Sequence, residues 1–210
     1  MIALPTSGGG EVEVDGRRLE LTNLDRVLWP NMGFAKRDLV AYYARVAPAI
    51  LPHLAGRPLS MVRLPHGAGG RIFLQNECRG APEWMTTASL RLRTGEVRRY
   101  CVVDDRPSLL WVANLGTVEL HPYPARADRP DAPPALLLDL DPGEGTTIAD
   151  ACRVALALRA LARDRGLRPL PKTSGGAGLH LYAPLRAGTT FGAARTLGRS
   201  PRITSRSTSR

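Results

Sequence analysis

The first half of the chain alternates hydrophobic and polar residues in short runs, which predicts a series of β-strands. EVEVDGRRLEL alternates on either side of Asp15-Gly16, a dipeptide typical of a β-hairpin turn. RPLSMVRLP, RIFLQ and VRRYCVV predict further strands, and VELHPYPAR continues in an extended conformation. A helix is expected to begin near Lys36, with breaks or restarts at Pro48 and Pro52. Its apolar side is formed by Leu39, Val40, Tyr43, Val46 and Ala47.

A second, short helix is predicted over DDRPSLLWVANLG. Asp105 is a candidate N-cap, Pro107 falls in the first turn, and Gly116 is expected to end the helix. The first half of the chain therefore combines a sheet with two helices.

The apolar run LLLDLDPGEG, residues 136–145, ends in two acids separated by one leucine. If the run is a buried strand, Asp139 and Asp141 project on the same side, about 7 Å apart, a spacing that can hold one or two divalent cations. Pro142, Gly143 and Gly145 predict a turn that places both carboxylates at the C-terminal end of the strand. Two acids in this pattern are also typical of a structural turn or of an unrelated metal site.

A glycine-rich segment, PKTSGGAGLHLY, follows at residues 171–182. Ser174, Gly175, Gly176 and Gly178 form a loop whose backbone amides can approach an anion, and His180 stands on the next apolar strand. A lone Ser-Gly-Gly is more often a hairpin turn. In combination with the paired acids, the loop favours metal-assisted phosphoryl or nucleotidyl transfer.

Between the acids and the loop lies a predicted helix. Thr147 and Asp150 have the spacing of a capping box, with Asp in place of the usual Glu, and Gly166 is expected to stop the helix. One helical face carries Ile148, Ala151, Cys152, Ala155, Leu158 and Ala162. The order of strand, helix, strand, glycine loop and strand predicts a βαβ unit followed by a hairpin.

Composition bounds the class of protein. The 210 residues, 43% of them hydrophobic, suffice for a core in one or two domains. The net charge of +10 favours a polyanionic partner such as nucleic acid, although the scarcity of lysine is also consistent with arginine enrichment by GC-rich codons. No apolar run reaches the roughly 18 residues of a membrane span, and no signal peptide is recognisable. A cytoplasmic protein without a membrane partner is expected.

The three cysteines, Cys78, Cys101 and Cys152, have no metal-binding spacing. Their odd number argues against a disulfide framework. Two of them lie in apolar stretches and are expected to be ordinary core thiols.

The two ends of the chain differ from its body. Residues 1–10 end in SGGG and are expected to be disordered, whereas residues 189–197 begin like a further helix. The final GRSPRITSRSTSR cannot bury an apolar face, and it is either a basic nucleic-acid arm or the replacement of a lost ending. The expected division is an N-terminal tail and start of a hairpin over 1–18, one folded domain over 19–197, and a disordered Arg/Ser-rich tail over 198–210.

Six segments occur together in a specific order: TNLDRVLWP with Lys36, HLAGRPLSMVR, FLQ, WVANLGTVELH, LLLDLDPGEG and KTSGGAGLHLY. In this order the chain resembles, from about Leu21 to about Arg195, the polymerase domain of bacterial ATP-dependent DNA ligase D, in the archaeo-eukaryotic primase superfamily. The resemblance implies an α/β (α+β) class and a primase-like fold, with an RRM-like catalytic sheet beside a second sheet and helices.

The resemblance also implies a catalytic site. Asp139 and Asp141 match two of the family's three catalytic, metal-binding acids, which use Mn²⁺ or Mg²⁺. Ser174, with Gly175 and Gly176, matches the triphosphate-binding loop, and the site residues of that motif end at His180.

Further positions are implied by the same resemblance. His121 matches a histidine near the incoming nucleotide, although a lone histidine is usually a packed or solvent-facing residue. The positions that hold a 5′-phosphate across a DNA gap are matched by Asn23, Arg26 and Lys36. Phe73 falls where the family stacks an aromatic ring on a template base.

Several departures from the family pattern bear on activity. Ala177 and Asn76 replace lysines, and Leu74 replaces a second aromatic residue. The family's third acid lies on a later strand, and nothing after Leu197 resembles that strand, while Asp150 and Asp164 lie on the predicted helix. A C-terminally incomplete domain, truncated or frameshifted and with an exposed apolar edge, is therefore expected.

The implied function is repair of DNA by nucleotidyl transfer, with ribonucleotides or deoxyribonucleotides added at breaks and gaps in non-homologous end joining. The alternative is a catalytically inactive remnant that binds DNA ends and 5′-phosphates, and a third possibility is a non-functional gene fragment. Implied partners are gapped or broken DNA with a 5′-phosphate, nucleoside triphosphates, a Ku-type protein, and ligase and nuclease domains. The implied location is the bacterial nucleoid.

Overall fold

A computed structural model describes residues 3–92, 94–176 and 178–199. The chain divides into two compact units, Met1–Asp128 and Arg129–Arg210. The described residues contain four α-helices and several sheets, so the predicted mixed class is confirmed. None of the described helices is long and apolar enough to cross a membrane.

The first unit contains two hairpin-like strand pairs, a five-stranded sheet and two α-helices. A short 3₁₀ helix, Pro30–Met32, precedes the first α-helix. The strands are β1 (Gly10–Val14), β2 (Arg17–Leu21), β3 (Val27–Trp29), β4 (Phe34–Ala35), β5 (Pro58–Arg63), β6 (Phe73–Gln75), β7 (Thr87–Arg91), β8 (Val97–Val102) and β9 (Thr117–Pro122). The helices are α1 (Lys36–Leu54) and α2 (Arg106–Asn114).

The five-stranded sheet is organised around β5. Strand β5 pairs antiparallel with β6, β8 and β9, and β7 extends the sheet beyond β8. Its buried Leu59 and Met61 share one core with Leu109 and Leu110 of α2. The predicted hairpin is confirmed, and Asp15 and Gly16 both have positive φ at its turn.

Helix α1 continues through both prolines that were expected to interrupt it. Pro48 and Pro52 lie inside Lys36–Leu54, so that prediction is wrong. A proline lacks the N–H that would bond to the carbonyl four residues earlier. Both prolines face solvent, where water can bond to the freed carbonyls, while Tyr43, Ala47 and Leu54 hold the opposite face in the core.

The N-terminal segment is ordered where the structure describes it, contrary to the expectation for residues 1–10. The Arg37 guanidinium donates hydrogen bonds to the carbonyls of Pro5 and Thr6 at 3.2 and 3.0 Å. The Gly8 N–H donates to the Asp25 carboxylate at 2.5 Å. These contacts tie the glycines to the loop after β2, an interaction that low-complexity composition does not reveal.

Two of the cysteines are joined, which corrects the prediction from their odd number. Cys78 and Cys101 form a disulfide inside the first core. Cys152 is free and exposed, so the expectation of core thiols fails for it as well. One pair and one free thiol satisfy an odd count, which is why parity alone cannot exclude a bridge.

The second unit is a three-stranded sheet with two helices. Its elements are β10 (Ala135–Leu140), α3 (Ile148–Arg163), β11 (Leu170–Thr173), β12 (Leu179–Pro184) and α4 (Phe191–Gly198). Strand β12 lies between β10 and β11 and is antiparallel to both, so β10 and β11 run parallel without touching. The predicted βαβ unit and hairpin are confirmed, with the hairpin's second strand inserted between the parallel pair.

Helix α3 packs on one face of this sheet through small residues. Ala151 and Ala155 contact Leu179 and Leu181 in the second core. The Asp150 carboxylate accepts the Thr147 N–H at 2.8 Å, and this bond is the first cause of a pKa lowered to about 2. The predicted cap is thus present, but Ile148 is 44% exposed and not part of the buried face.

Helix α4 corresponds to the helix predicted over residues 189–197. The Thr190 hydroxyl accepts a hydrogen bond from the Ala193 N–H at 3.2 Å and caps its first turn. The predicted tail from residue 200 onward lies outside the described residues.

Candidate functional site

The paired acids lie on the face of the second sheet that α3 does not cover. Side chains alternate along β10, so Leu138 and Leu140 pack against the core while Asp139 and Asp141 are exposed. Strand β10 ends at Leu140, which places Asp141 in the turn that follows. The strand therefore presents both carboxylates on one side at its C-terminal end.

His180 lies beside the first of these acids. It stands opposite Asp139 in the register of β10 and β12, with its Nε2 atom 3.3 Å from the Asp139 Oδ1 atom. Its Nδ1 atom is buried and has no hydrogen-bond partner among the described residues. The ring is therefore oriented toward the acid by sheet register rather than by a second hydrogen bond.

The glycine loop joins β11 to β12 next to the second acid. The Ser174 N–H donates to the Gly178 carbonyl at 3.1 Å, and Gly175 has a φ of +99°, which favours glycine. A Cβ atom at Gly178 would lie 2.6 Å from the Asp141 Oδ1 atom and 3.2 Å from the Ser174 Oγ atom. The absence of a side chain at Gly178 thus lets the loop approach the strand end.

Four predicted residues are consequently brought together in the second unit: Asp139, Asp141, Ser174 and His180. Gly175 and Gly176 belong to the same loop, while Ala177 lies outside the described residues. Lys172 stands opposite His180 on β11 and was not predicted as a site residue. Only the pairing register, which connects residues on different strands, identifies it.

The donor set fits a hard divalent cation. Among the described residues no group of three or more His, Cys, Asp or Glu side chains is placed to hold a metal. Mg²⁺ is commonly held by one or two carboxylates, with water and substrate phosphates completing its coordination. Asp139 and Asp141, beside a loop suited to anions, match that arrangement.

A separate cationic pocket lies in the first unit. It encloses about 180 Å³ and is lined by Asn23, Arg26 and Lys36 together with Arg63 and Asn114. Lys36 is 6% exposed, and its Nζ donates to the Thr22 carbonyl at 2.6 Å. Asn23 has a φ of 51°, a left-handed conformation that asparagine tolerates better than most residues. The three residues predicted to hold a 5′-phosphate therefore lie together.

The electrostatics of this pocket suit an anion. Burial lowers the pKa of Lys36 to about 8, and the nearby charges of Arg26 and Arg63 lower it further in the same direction. Burial likewise lowers the pKa of Arg63. No acid is found among the described residues that line the pocket. A bound phosphate would relieve the repulsion between these cations.

Two pocket residues were not predicted. Arg63 donates from Nε to the Leu115 carbonyl at 2.9 Å and from Nη1 to the Gln75 side chain. The Asn114 side chain accepts from the Thr22 N–H and donates to the Glu20 carbonyl, both at 3.0 Å. Both residues lie within the motifs RPLSMVR and WVANLG, but only the tertiary packing brings them to the pocket.

Phe73 and His121 lie on strands that flank β5 in the first unit. Phe73 is 38% exposed and stands opposite Arg63 in the strand register, with the Arg71 guanidinium 5.4 Å from the ring centre. His121 is exposed and its Nε2 atom lies 2.8 Å from the Glu119 carboxylate. Phe73 is therefore available for stacking beside the cationic pocket.

Comparison with known proteins identifies relatives. Residues 35–202 match the family described as LigD, primase-polymerase domain. The chain is 39% identical over 171 residues to the multifunctional non-homologous end joining protein LigD of Mycolicibacterium smegmatis, covering 80% of this chain and 22% of that protein. It is 29% identical over 168 residues to the bifunctional LigD of Bacillus subtilis, covering 80% of this chain and 27% of the relative.

A solved structure shows the same fold. The polymerase domain from Mycobacterium tuberculosis Ligase D, in complex with DNA, superposes with a TM-score of 0.72 at 38% identity, covering 80% of this chain and 61% of that one. The acids, the glycine loop and the mixed fold define a primase-like polymerase class. The chain belongs to the LigD primase-polymerase domain family, which confirms the resemblance seen in the sequence.

Proposed function

We propose that this chain is a nucleotidyltransferase that adds nucleotides at DNA breaks and gaps during non-homologous end joining. The observation that carries the proposal is the convergence of Asp139, Asp141, Ser174 and His180 at one end of the second sheet. Membership of a family whose relatives are named non-homologous end joining proteins supports it.

Asp139 and Asp141 would hold the divalent cation, Mn²⁺ or Mg²⁺. When bound, such a cation lowers the pKa of an attacking hydroxyl and neutralises charge on phosphate oxygens in the transition state. Ser174 and the amides of Gly175 and Gly176 bind the triphosphate and orient it. His180 positions the Asp139 carboxylate through its Nε2 atom.

The first unit would bind the DNA. Asn23, Arg26 and Lys36 hold a 5′-phosphate on the far side of a gap, and Phe73 stacks on a template base. His121 contributes to nucleotide binding. Contacts to a terminal phosphate carry no sequence information, which suits an enzyme that fills breaks of arbitrary sequence.

The remaining partners are those of a repair complex. We propose that the chain acts at the bacterial nucleoid with a Ku-type end-binding protein and with ligase and nuclease domains. The chain spans about a quarter or less of the lengths of the curated relatives described above, at 22% and 27%.

Primer extension tests the proposal. The purified chain is given gapped DNA with a downstream 5′-phosphate, ribonucleotides and Mn²⁺, and is compared with Asp139→Asn. Removing one cation-binding carboxylate should reduce extension to the level seen without enzyme. Asp164→Asn, which changes an exposed acid at the end of α3, is the matched control and should extend like the unmodified chain.

Two results would contradict the proposal. Extension by Asp139→Asn at the unmodified rate would remove the carboxylate from the chemistry. No extension by the unmodified chain, with retained preference for 5′-phosphorylated DNA, would instead indicate an inactive end-binding module.

A further inference from the structure

Helix α3 and the segment after it carry arginines that the site described above does not use. Two of them make contacts within the fold. Arg153 donates to the Asp150 carboxylate at 2.5 Å, and Arg165 donates to the Leu161 carbonyl at 3.3 Å. These two side chains therefore have an intramolecular role.

The other three, Arg159, Arg163 and Arg168, are different. They are exposed, and within the described part of the chain their guanidinium groups make neither a hydrogen bond nor an ion pair. All three line the same cleft, which encloses about 700 Å³ between the end of α3 and the segment 166–171. The unpaired arginines are thus gathered in one place rather than scattered over the surface.

The cleft has cationic walls and apolar patches. Arg159 and Arg163 are one helical turn apart, so their Cβ atoms are about 5–6 Å from each other on the helix surface. Arg168 lies on the opposite wall, and Leu170, 62% exposed, contributes apolar surface. None of the described residues that line the cleft is acidic.

This arrangement fits a nucleic-acid strand better than a single phosphate. Guanidinium groups match phosphate oxygens in bidentate geometry. Because the arginines are spread along two walls instead of converging on one point, they suit successive phosphates, and the apolar surface suits the sugars between them.

We propose that the cleft formed by Arg159, Arg163 and Arg168 binds the sugar-phosphate backbone of DNA, as a contact surface additional to the 5′-phosphate pocket. The inference rests on the proposed function for its choice of DNA as the polyanion. The surface reads no sequence, and it raises the affinity for DNA whether or not a terminal phosphate is present.

Salt-dependent binding tests the inference. A fluorescent gapped duplex, with or without the 5′-phosphate, is titrated with the unmodified chain and with R159Q/R163Q between about 50 and 200 mM salt. Each lost phosphate contact makes the slope of log affinity against log salt shallower by about 0.9. Two lost contacts therefore reduce the salt sensitivity of binding by about 12-fold over this range.

R18Q/R153Q is the matched control. It removes the same net charge from two exposed arginines that already pair with acids, Arg18 with Glu11 and Arg153 with Asp150. It should change the slope much less than R159Q/R163Q. R168Q should produce about half of the slope change of the double variant, because one contact is lost instead of two.

The outcomes separate this inference from the proposed function. The cleft variant should weaken binding equally with and without the 5′-phosphate, whereas Lys36→Met should abolish only the preference for the phosphate. An unmodified chain that lacks this preference, but whose slope still depends on Arg159 and Arg163, would refute the pocket and support the cleft. Equal slopes for R159Q/R163Q and R18Q/R153Q would overturn the inference. So would an unchanged DNA slope accompanied by loss of binding to a poly-glutamate peptide, since that result indicates an acidic protein partner.

Discussion

At the scale of single residues, Lys36 shows how the chain departs from a purely structural design. A buried lysine is normally paired with an acid, because burial penalises its charged form. Lys36 instead has a carbonyl partner and two arginines nearby, and burial lowers its pKa to about 8. Such a site favours a ligand that supplies the missing negative charge.

The preference for a 5′-phosphate should therefore fall as the pH rises through about 8. Lys36 loses its charge above its lowered pKa, whereas the phosphate, with a second pKa of about 6, stays fully ionised. The ratio of affinities for phosphorylated and unphosphorylated gapped DNA, measured from about pH 7 to about pH 9.5, should drop by up to about tenfold per unit.

Lys36→Arg is the control for this profile. Arginine keeps its charge over the whole range, so the ratio should be flat with pH in this variant. A flat profile for the unmodified chain, or an equal decline for Lys36→Arg, would show that Lys36 does not control phosphate binding.

The sequence located some of these residues and missed others for a physical reason. Asp139 and Asp141 are neighbours on one strand, so the period of two predicts their common face. Arg63 and Asn114 reach the pocket from β5 and α2, and nothing local to either residue specifies that approach. Pairing across a sheet is likewise needed to place Lys172 beside His180.

At the scale of secondary structure, local signals succeeded where side chain and backbone interact directly. The Asp105 carboxylate accepts the Ser108 N–H at 2.9 Å and caps α2 as predicted. They failed for α1, because packing of its buried face outweighs the cost of two solvent-facing prolines. The helix ends of α2 matter for the site, since its last residue, Asn114, anchors the loop that carries Asn23.

Asp105→Ala should lower the free energy of unfolding by about 1 kcal/mol, because the Ser108 N–H loses its partner. Denaturant unfolding measures this change. Asp105→Asn should recover most of the loss, since an amide oxygen can accept the same hydrogen bond, although it cannot pair with Arg17 at 3.2 Å. Equal destabilisation by both variants would assign the effect to the ion pair instead of the cap.

At the scale of the whole molecule, each unit has its own core, and the disulfide lies in the first. Cys78 follows β6 and Cys101 lies in β8, with 23 residues between them in sequence separation. Both side chains are buried, at 2% and 0% exposure. The bridge therefore links the strand that carries Phe73 to the centre of the sheet.

Reduction of this disulfide should destabilise the chain by about 3 kcal/mol, from the chain entropy regained by a loop of this length in the unfolded state. Thermal or denaturant unfolding with and without dithiothreitol measures the effect. Cys152→Ser should respond to the reductant like the unmodified chain, because Cys152 is outside the bridge. Titration of three free thiols in the unfolded, unreduced protein would contradict the pairing.

Manganese binding tests the central claim most directly. The free Mn²⁺ signal in electron paramagnetic resonance is followed while the chain is titrated in the presence of a non-hydrolysable ribonucleoside triphosphate. The account predicts that the unmodified chain and Asp164→Asn bind Mn²⁺ in this mixture, and that D139N/D141N binds no more than the nucleotide does alone. Equal Mn²⁺ binding by D139N/D141N and the unmodified chain would contradict the assignment of Asp139 and Asp141 as the metal-binding acids.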